Sequence, residues 1–183
     1  MWINETGYAT LPGRTEEDQA RWWIRAAATF LAQPRIDHLG IYEIKDLRSD
    51  REAIGDAPNY HLGITYTDRR RKLAFTTLQR LVSMLGTQPI ATIDARDIIS
   101  SPSAADVYRY LFQGADGRQF LFLWTRRDAA VATISSRTPG TEMIEYSIGG
   151  APSGRLDFST GKAEVTLRAG DVRMFERLPA RSR

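Results

Sequence analysis

The sequence predicts an α/β segment followed by an all-β segment, and three observations carry that prediction. Apolar residues recur at helical spacing in two stretches, Ala20–Leu31 and Leu73–Leu85, each preceded by a short strand-like run. From Ile90 to Phe175 the period changes to short β-like runs broken by turn signals. At 183 residues the chain has room for one domain or two small ones with a real apolar core.

The elements follow in order. Met1–Glu5 is a short apolar-leaning run, and Gly7–Arg14 is a loop containing Gly and Pro. Thr15 reads as an N-cap with Asp18 at the capping-box distance, and Glu16 and Glu17 place negative charge in the first helical turn, where the helix dipole favours it. Ala20, Trp23, Ala27, Phe30 and Leu31 form one apolar stripe, and Pro34 ends the helix. Ile36–Ile44 follows, with a centre (Leu39, Gly40, Ile41, Tyr42) that has the near-continuous apolar character of a strand buried on both faces. Lys45 to about Thr67 reads as a long polar loop, a length that implies a purpose or short structure of its own. A second helix is expected from about Arg70 to Leu85, stopped by Gly86. Arg69, Arg70, Arg71 and Lys72 set positive charge at the wrong end of its dipole, so Asp68 is expected to cap it.

Beyond Gly86 the expected strands are Ile90–Ile93, Val107–Phe112, Phe120–Thr125, Ala130–Ser135, Glu142–Ser147, Gly154–Phe158, Ala163–Leu167 and Val172–Phe175. Asp116-Gly117, Thr160-Gly161 and Ala169-Gly170 supply hairpin-type turns, and the spacing predicts an antiparallel sandwich. The expected domains are therefore 1–86 and 87–183.

Composition removes several function classes. Lys plus Arg at 25 against Asp plus Glu at 22 leaves +3 and no dense basic stripe, so nucleic acid is not an expected partner. Seven Phe, seven Tyr and four Trp are incompatible with a disordered chain. The absence of Cys removes disulfides, thiol catalysis and thiolate zinc sites. Two histidines, His38 and His61, are too few for a three-histidine metal site, and no metal or other cofactor is expected. No run approaches the ~18 apolar residues of a membrane span, and Met1–Glu5 lacks the basic leader and apolar run of a signal peptide.

The wording of the first segment points further. Trp2-Ile3-Asn4-Glu5-Thr6-Gly7-Tyr8, followed by Thr15-Glu16-Glu17-Asp18-Gln19-Ala20, resembles the seventh strand and helix of clan A glycoside hydrolases. Ile41-Tyr42-Glu43-Ile44-Lys45-Asp46 resembles the eighth strand and its exit. His61-Leu62-Gly63-Ile64 and Lys72-Leu73-Ala74-Phe75 resemble the following loop and the opening of the eighth helix. The chain resembles family 39 and its relatives, including exopolysaccharide hydrolases, in which a β-sandwich follows a (β/α)₈ barrel. Such a barrel takes roughly 250 residues, so two βα units supply only about a quarter of one. The resemblance thus implies the C-terminal part of a barrel, strands seven and eight with their helices, followed by the sandwich. Asn4-Glu5 also resembles the fourth-strand acid/base motif of the clan, but a fourth strand would be followed by four more βα units and only one more appears.

By this resemblance Glu5 is the nucleophile of a retaining hydrolase acting on a β-linked oligo- or polysaccharide. Period-2 counting puts Ile3 and Glu5 on one strand face and Trp2 and Asn4 on the other, and active sites of this fold lie at the C-terminal strand ends. The plain alternative is a strand-end glutamate paired with an arginine. Retaining hydrolysis needs a second carboxyl about 5–5.5 Å away. The family carries it on a strand this chain does not contain, which leaves Glu43 as the local substitute acid or as a polar strand-end residue. Tyr8, Tyr42 and Asp46 are the candidate substrate contacts. Tyr8 otherwise packs over the barrel rim, Tyr42 is otherwise a core aromatic, and Asp46 otherwise caps a turn. His61 reads as structural, and Trp124, Phe120, Phe122 and Tyr110 read as core aromatics of the sandwich.

Two βα units leave strand edges and apolar stripes unpaired, so the chain alone is expected to be inactive and open to self-association. The alternative reading is a non-catalytic carbohydrate-binding or interaction module built on the sandwich. Full-length relatives of this type are often exported, but the sequence itself does not assign a location.

Overall fold

The computed structural model describes residues 1–48, 56–95, 99–100, 107–136 and 141–178. Those residues form eleven β-strands and two α-helices, with a 3-10 helix at Ala57–His61 and a π-helical turn at Val82–Gly86. The chain divides into two compact units, Met1–Leu81 with Ile148–Gly150, and Val82–Ser147 with Ala151–Arg183.

In the first unit β1 (Trp2–Thr6) and β2 (His38–Ile41) pair in parallel, with α1 (Glu16–Leu31) between them in sequence. A parallel neighbour cannot be reached through a tight turn, so the chain crosses over, and the helix is the crossover. The capping box at its start is reciprocal: the Thr15 hydroxyl accepts the Asp18 N–H at 3.1 Å and the Asp18 carboxylate accepts the Thr15 N–H at 2.9 Å. The helix buries Gln19, Ala20, Trp23, Ile24, Ala26, Ala27 and Ala28. Phe30 and Leu31, at its C-terminal end, are half-buried. The small alanines leave room for α2 (Leu73–Leu81), which packs against α1 and buries Ala74, Thr77, Leu78 and Leu81.

The start of α2 differs from the expected one. It begins at Leu73, so the basic run at residues 69–71 precedes the helix and meets no adverse dipole. Asp68 does not cap it. Its carboxylate instead accepts the N–H of Arg70 at 2.9 Å and the Arg70 Nε–H at 2.8 Å, closing a turn in which the Arg69 N–H donates to the Tyr66 carbonyl at 2.9 Å. The cap comes from α1, where Glu16 Oε2 accepts the Leu73 N–H at 2.6 Å. The expected loop from Lys45 to Thr67 also carries structure. Besides the 3-10 helix, Thr65 bridges Lys45 in parallel and Arg71 in antiparallel fashion. At the far end of α2 the Thr77 hydroxyl donates to the Ile148 carbonyl at 2.5 Å and Arg80 Nε–H to the Gly150 carbonyl at 2.9 Å.

The second unit is antiparallel throughout its named strands. β3 (Ile90–Ile93), β5 (Val107–Gly114), β6 (Gln119–Thr125), β11 (Val172–Arg177), β8 (Glu142–Tyr146) and β9 (Pro152–Asp157) form one sheet in the order β3-β5-β6-β11-β8-β9. β10 (Lys162–Leu167), β7 (Ala130–Ser135) and β4 (Ile99–Ser100) form the other, in the order β10-β7-β4. Both contribute to one core: Val107, Leu111, Leu121, Leu123, Met143 and Phe175 from the first sheet meet Ile99, Ala132, Ile134, Val165 and Leu167 from the second. Asp116-Gly117 joins the paired strands β5 and β6, with Gly117 at φ +82°, a conformation that favours glycine. The turns at Thr160-Gly161 and Ala169-Gly170 are not hairpins. They carry the chain from the six-stranded sheet to the three-stranded one and back, since β9 and β11 belong to the first and β10 to the second.

Candidate active site

The C-terminal ends of parallel strands are where the loops of a βα unit gather and where such folds bind ligands. In the first unit that end is reached at Thr6 on β1 and Ile41 on β2. The ladder continues one step past β2, because the Tyr42 N–H donates to the Thr6 carbonyl at 2.8 Å. Glu5, Tyr42 and Glu43 therefore sit at the same end of neighbouring strands. Gly7 lies against this seam: a Cβ there would come within 1.9 Å of the Tyr42 carbonyl oxygen, so only glycine lets the loop leave β1 this close to β2. The Tyr42–Glu43 peptide is cis.

Glu5 is exposed, but not through the simple alternation that period 2 predicts. Trp2 pairs with His38, Ile3 with Leu39 and Thr6 with Ile41, so one extra residue is inserted in β1 between Ile3 and Thr6. Asn4 and Glu5 together face the single residue Gly40, and both are exposed while Ile3 and Thr6 are half-buried. The face-sharing of Ile3 and Glu5 expected from period-2 counting is thus interrupted by a β-bulge.

Tyr8 is half-buried. Its ring stacks on Trp22 of α1 at 5.9 Å, the Arg14 guanidinium lies 5.3 Å from its centroid, and Trp22 meets Trp23 edge-on at 5.0 Å. The loop backbone is tied to the same helix, since the Gln19 side-chain amide donates to the Tyr8 carbonyl at 2.7 Å and to the Gly63 carbonyl at 3.1 Å.

Asp46 belongs to a different constellation. It is buried, and its Oδ1 accepts a hydrogen bond from Lys72 Nζ at 2.8 Å in an ion pair whose side chains are 6% and 0% exposed. The same ammonium donates to Thr10 Oγ1 at 2.8 Å and lies 3.4 Å from the His61 carbonyl, which also accepts the Thr10 N–H at 3.0 Å. Lys72 thus joins the loop after β1, the segment after β2 and the approach to α2 through one charged atom with three acceptors. A buried charge is tolerated only when paired and hydrogen-bonded, and this one is. A cleft of about 480 Å³ opens beside the pair, walled in part by Pro12, Arg14, Glu16, His61 and Tyr66. Glu16 is committed there, accepting the Tyr66 hydroxyl as well as the Leu73 N–H. Donating to that carboxylate holds the Tyr66 phenol above its ordinary pKa.

Nothing in the local sequence marks Lys72, Glu16 or Gly40 as partners. Lys72 belongs to the Lys72-Leu73-Ala74-Phe75 run, and nothing local distinguishes it from the three arginines before it. Among the described residues no three His, Asp or Glu side chains group as a metal site would require. No described helix is long and apolar enough to cross a membrane.

In the sandwich, Phe120 and Phe122 are fully buried and Trp124 is 5% exposed, stacked between Tyr108 at 5.4 Å and Tyr110 at 5.1 Å.

Comparison with known proteins shows what this fold is similar to. No family model matches the chain, and neither does any curated protein. Solved structures do. A family 30 endoxylanase from Clostridium papyrosolvens C71 matches 97% of this chain with a TM-score of 0.61 at 11% identity. A family 39 glycoside hydrolase from Bacteroides cellulosilyticus WH2 matches 95% at 0.60 and 14%, and a family 30 subfamily 8 xylanase from Clostridium acetobutylicum matches 96% at 0.59 and 13%. The fold is similar to part of the fold of these glycoside hydrolases. The chain spans 41%, 33% and 42% of those three proteins respectively.

Proposed function

We propose that this chain is the C-terminal part of a retaining glycoside hydrolase acting on a β-linked oligo- or polysaccharide, close to family 39, and that Glu5 is its nucleophile. The observation that carries the reading is the parallel pairing of β1 and β2 around α1, with Glu5 exposed near the C-terminal end of β1, in a chain whose structural likenesses are glycoside hydrolases. On this reading 1–86 supplies the seventh and eighth βα units of a barrel and 87–183 the appended sandwich.

Each residue then has a task. Glu5 attacks the anomeric carbon, forming a glycosyl-enzyme ester as the leaving oxygen takes a proton from a second carboxyl, and water later cleaves that ester. The second carboxyl comes from another strand of the barrel, with Glu43, at the neighbouring strand end, as the local substitute among the described residues of this segment. Tyr42 lines the sugar-facing end of the eighth strand. Tyr8, held between Arg14 and Trp22, shapes the rim. Asp46, spent on Lys72, fixes the loops that carry the others.

The chain alone, assayed with aryl β-glycosides and xylan, should show no turnover. In a protein that joins it to the remaining barrel units, Glu5→Gln should abolish turnover, with a loss on the order of 10³-fold or more. Retained turnover there removes the nucleophile role. Turnover by the isolated chain that disappears with Glu43→Gln would show that Glu43 has taken over as acid. The open edges of β1 and β2 also predict association of the isolated chain. Light scattering that finds only monomer at high concentration removes that expectation. The alternative of a binding module on the sandwich would rest on Tyr108, 39% exposed and stacked on Trp124, because Phe120, Phe122 and Trp124 offer almost no exposed ring surface.

A further inference from the structure

We propose that Gly40 is a positioning residue for Glu5: by lacking a side chain it admits the bulge in β1 that sets the direction of the carboxylate. The inference deepens the reading of Glu5 as nucleophile and rests on it for its functional meaning, though not for its geometry. Two facts converge on the same spot. The register gains one residue between Ile3 and Thr6, so that Asn4 and Glu5 both stand opposite Gly40. A Cβ built on Gly40 would lie 2.2 Å from the Asn4 carbonyl oxygen, 2.8 Å from its carbon and 3.1 Å from the Ile3 carbonyl oxygen. All three obstacles are backbone, and all belong to the bulge or the residue before it. No rotamer change can relieve them. The bulged backbone occupies the space that any side chain at position 40 would need.

An uninterrupted strand would alternate its side chains between faces. The inserted residue breaks that alternation between Ile3 and the strand end and re-aims the side chain there, as bulges beside active sites do. Position 40 and the aim of Glu5 are therefore one choice of geometry, made on two strands.

The test needs no sugar and uses the full chain. Gly40→Ala should lower the melting temperature by about 8 °C or more and shift the Glu5 side-chain carboxyl ¹³C resonance, assigned through Glu5→Gln. Gly63→Ala is the control. It meets an equally hard backbone contact, 2.1 Å from the Asp46 nitrogen, so it should destabilise while leaving the Glu5 resonance in place. Should Gly40→Ala fail to fold, deleting Asn4 in the same chain supplies the second variant. Removing the extra residue restores a regular ladder in which position 40 no longer has to be glycine. The double change should therefore regain a cooperative melting transition where Gly40→Ala alone has none, and should melt several degrees above it where both fold. Additive losses in that pair, or a Glu5 resonance unmoved by Gly40→Ala, overturn the positioning role. Either result leaves the nucleophile assignment to be decided by Glu5→Gln in the assembled barrel. Conversely, a harmless Glu5→Gln there removes the catalytic meaning and leaves the bulge coupling intact.

Discussion

The two units solve the burial of a β-sheet differently. In the sandwich, β6 is buried along nearly its whole length, with Leu121 and Leu123 in the shared core and Phe120 and Phe122 equally inaccessible. In the first unit the strands are parallel, an arrangement that elsewhere occurs with both faces covered. Yet Ile3, Leu39 and Ile41 are only half-buried, and Trp2 and Ile44 are 68% and 60% exposed. The sandwich closes its own core. The parallel pair has the chemistry of a strand buried on two faces and the burial of one covered on a single side. With so little of its apolar surface covered, the pair needs stability from elsewhere in the unit.

Part of it comes from the Lys72–Asp46 node, which is where the comparison breaks most visibly. Replacing Lys72 with Met strands a buried carboxylate and removes the ammonium from Thr10 Oγ1 and from the His61 carbonyl, which keeps only the Thr10 N–H. The expected cost is about 3–5 kcal/mol, measured by urea unfolding. Adding Asp46→Leu should recover most of that loss, because two apolar groups remove the uncompensated charge. A Lys72→Met variant as stable as the parent would mean that the node holds nothing together.

The next effect sharpens the contrast with one residue type in both settings. Leu123→Ala, in the middle of the sandwich core, should cost about 2–5 kcal/mol. Leu39→Ala on β2 should cost only about 1 kcal/mol, because part of its side chain already meets solvent. Equal losses at the two positions would mean that the face of β2 is covered after all, and the first unit would no longer read as an open section. In a protein supplying further barrel units, the Leu39→Ala cost should rise toward the Leu123→Ala value.

What the sequence disclosed and what it withheld divide along the same physical line, between local and distant interactions. The capping box of α1 involves residues three apart, so Thr15 and Asp18 announce it. The apolar run through Leu39 and Ile41 marks a strand that pairs in parallel, and alternation marks the sandwich strands. β4, at two residues, is too short to show a period. The start of α2 differs from the local expectation because its cap, Glu16, lies 57 residues away in the chain, and no local rule looks that far. The bulge was invisible for a related reason: counting by two assumes no inserted residue, and the only trace of one is a glycine on the neighbouring strand. For the candidate site, the strand ends bearing Glu5, Tyr42 and Glu43 were legible from the wording of the βα units. The partner of Asp46 was not, since Lys72 closes a basic run whose other members are exposed.

The capping box gives a smaller, pH-dependent effect. Thr15→Ala should destabilise the first unit by about 1 kcal/mol at neutral pH. The Asp18 carboxyl is held below its ordinary value of 3.8, first by the Thr15 backbone N–H and then by the Thr15 hydroxyl and the nearby Arg21. A carboxyl depressed on folding stabilises above its unfolded value and loses that contribution as the pH falls through the folded one. The gap in stability between the parent and Asp18→Ala should therefore be widest at neutral pH and narrow below about pH 4. A gap that stays constant down to about pH 2 would mean that the carboxylate form contributes nothing to the cap.

The smallest effect runs the other way. Arg69 is the non-glycine residue held at positive φ, +69°, among the described residues, and it is exposed in the turn that returns the chain from Tyr66 to Arg70. An L-residue pays roughly 1–2 kcal/mol in the left-handed region, while glycine pays about 0.5–1 kcal/mol in extra chain entropy on folding. Arg69→Gly should therefore stabilise the chain by about 0.5–1 kcal/mol. The Asp68–Arg70 pair closing the same turn is left untouched, so the gain should persist in high salt. It should also appear when the Lys72 node is weakened by Thr10→Val, since turn and node act on different backbone. A loss of stability in Arg69→Gly would mean that the arginine side chain, rather than the Asp68 turn, fixes the path of the chain into α2.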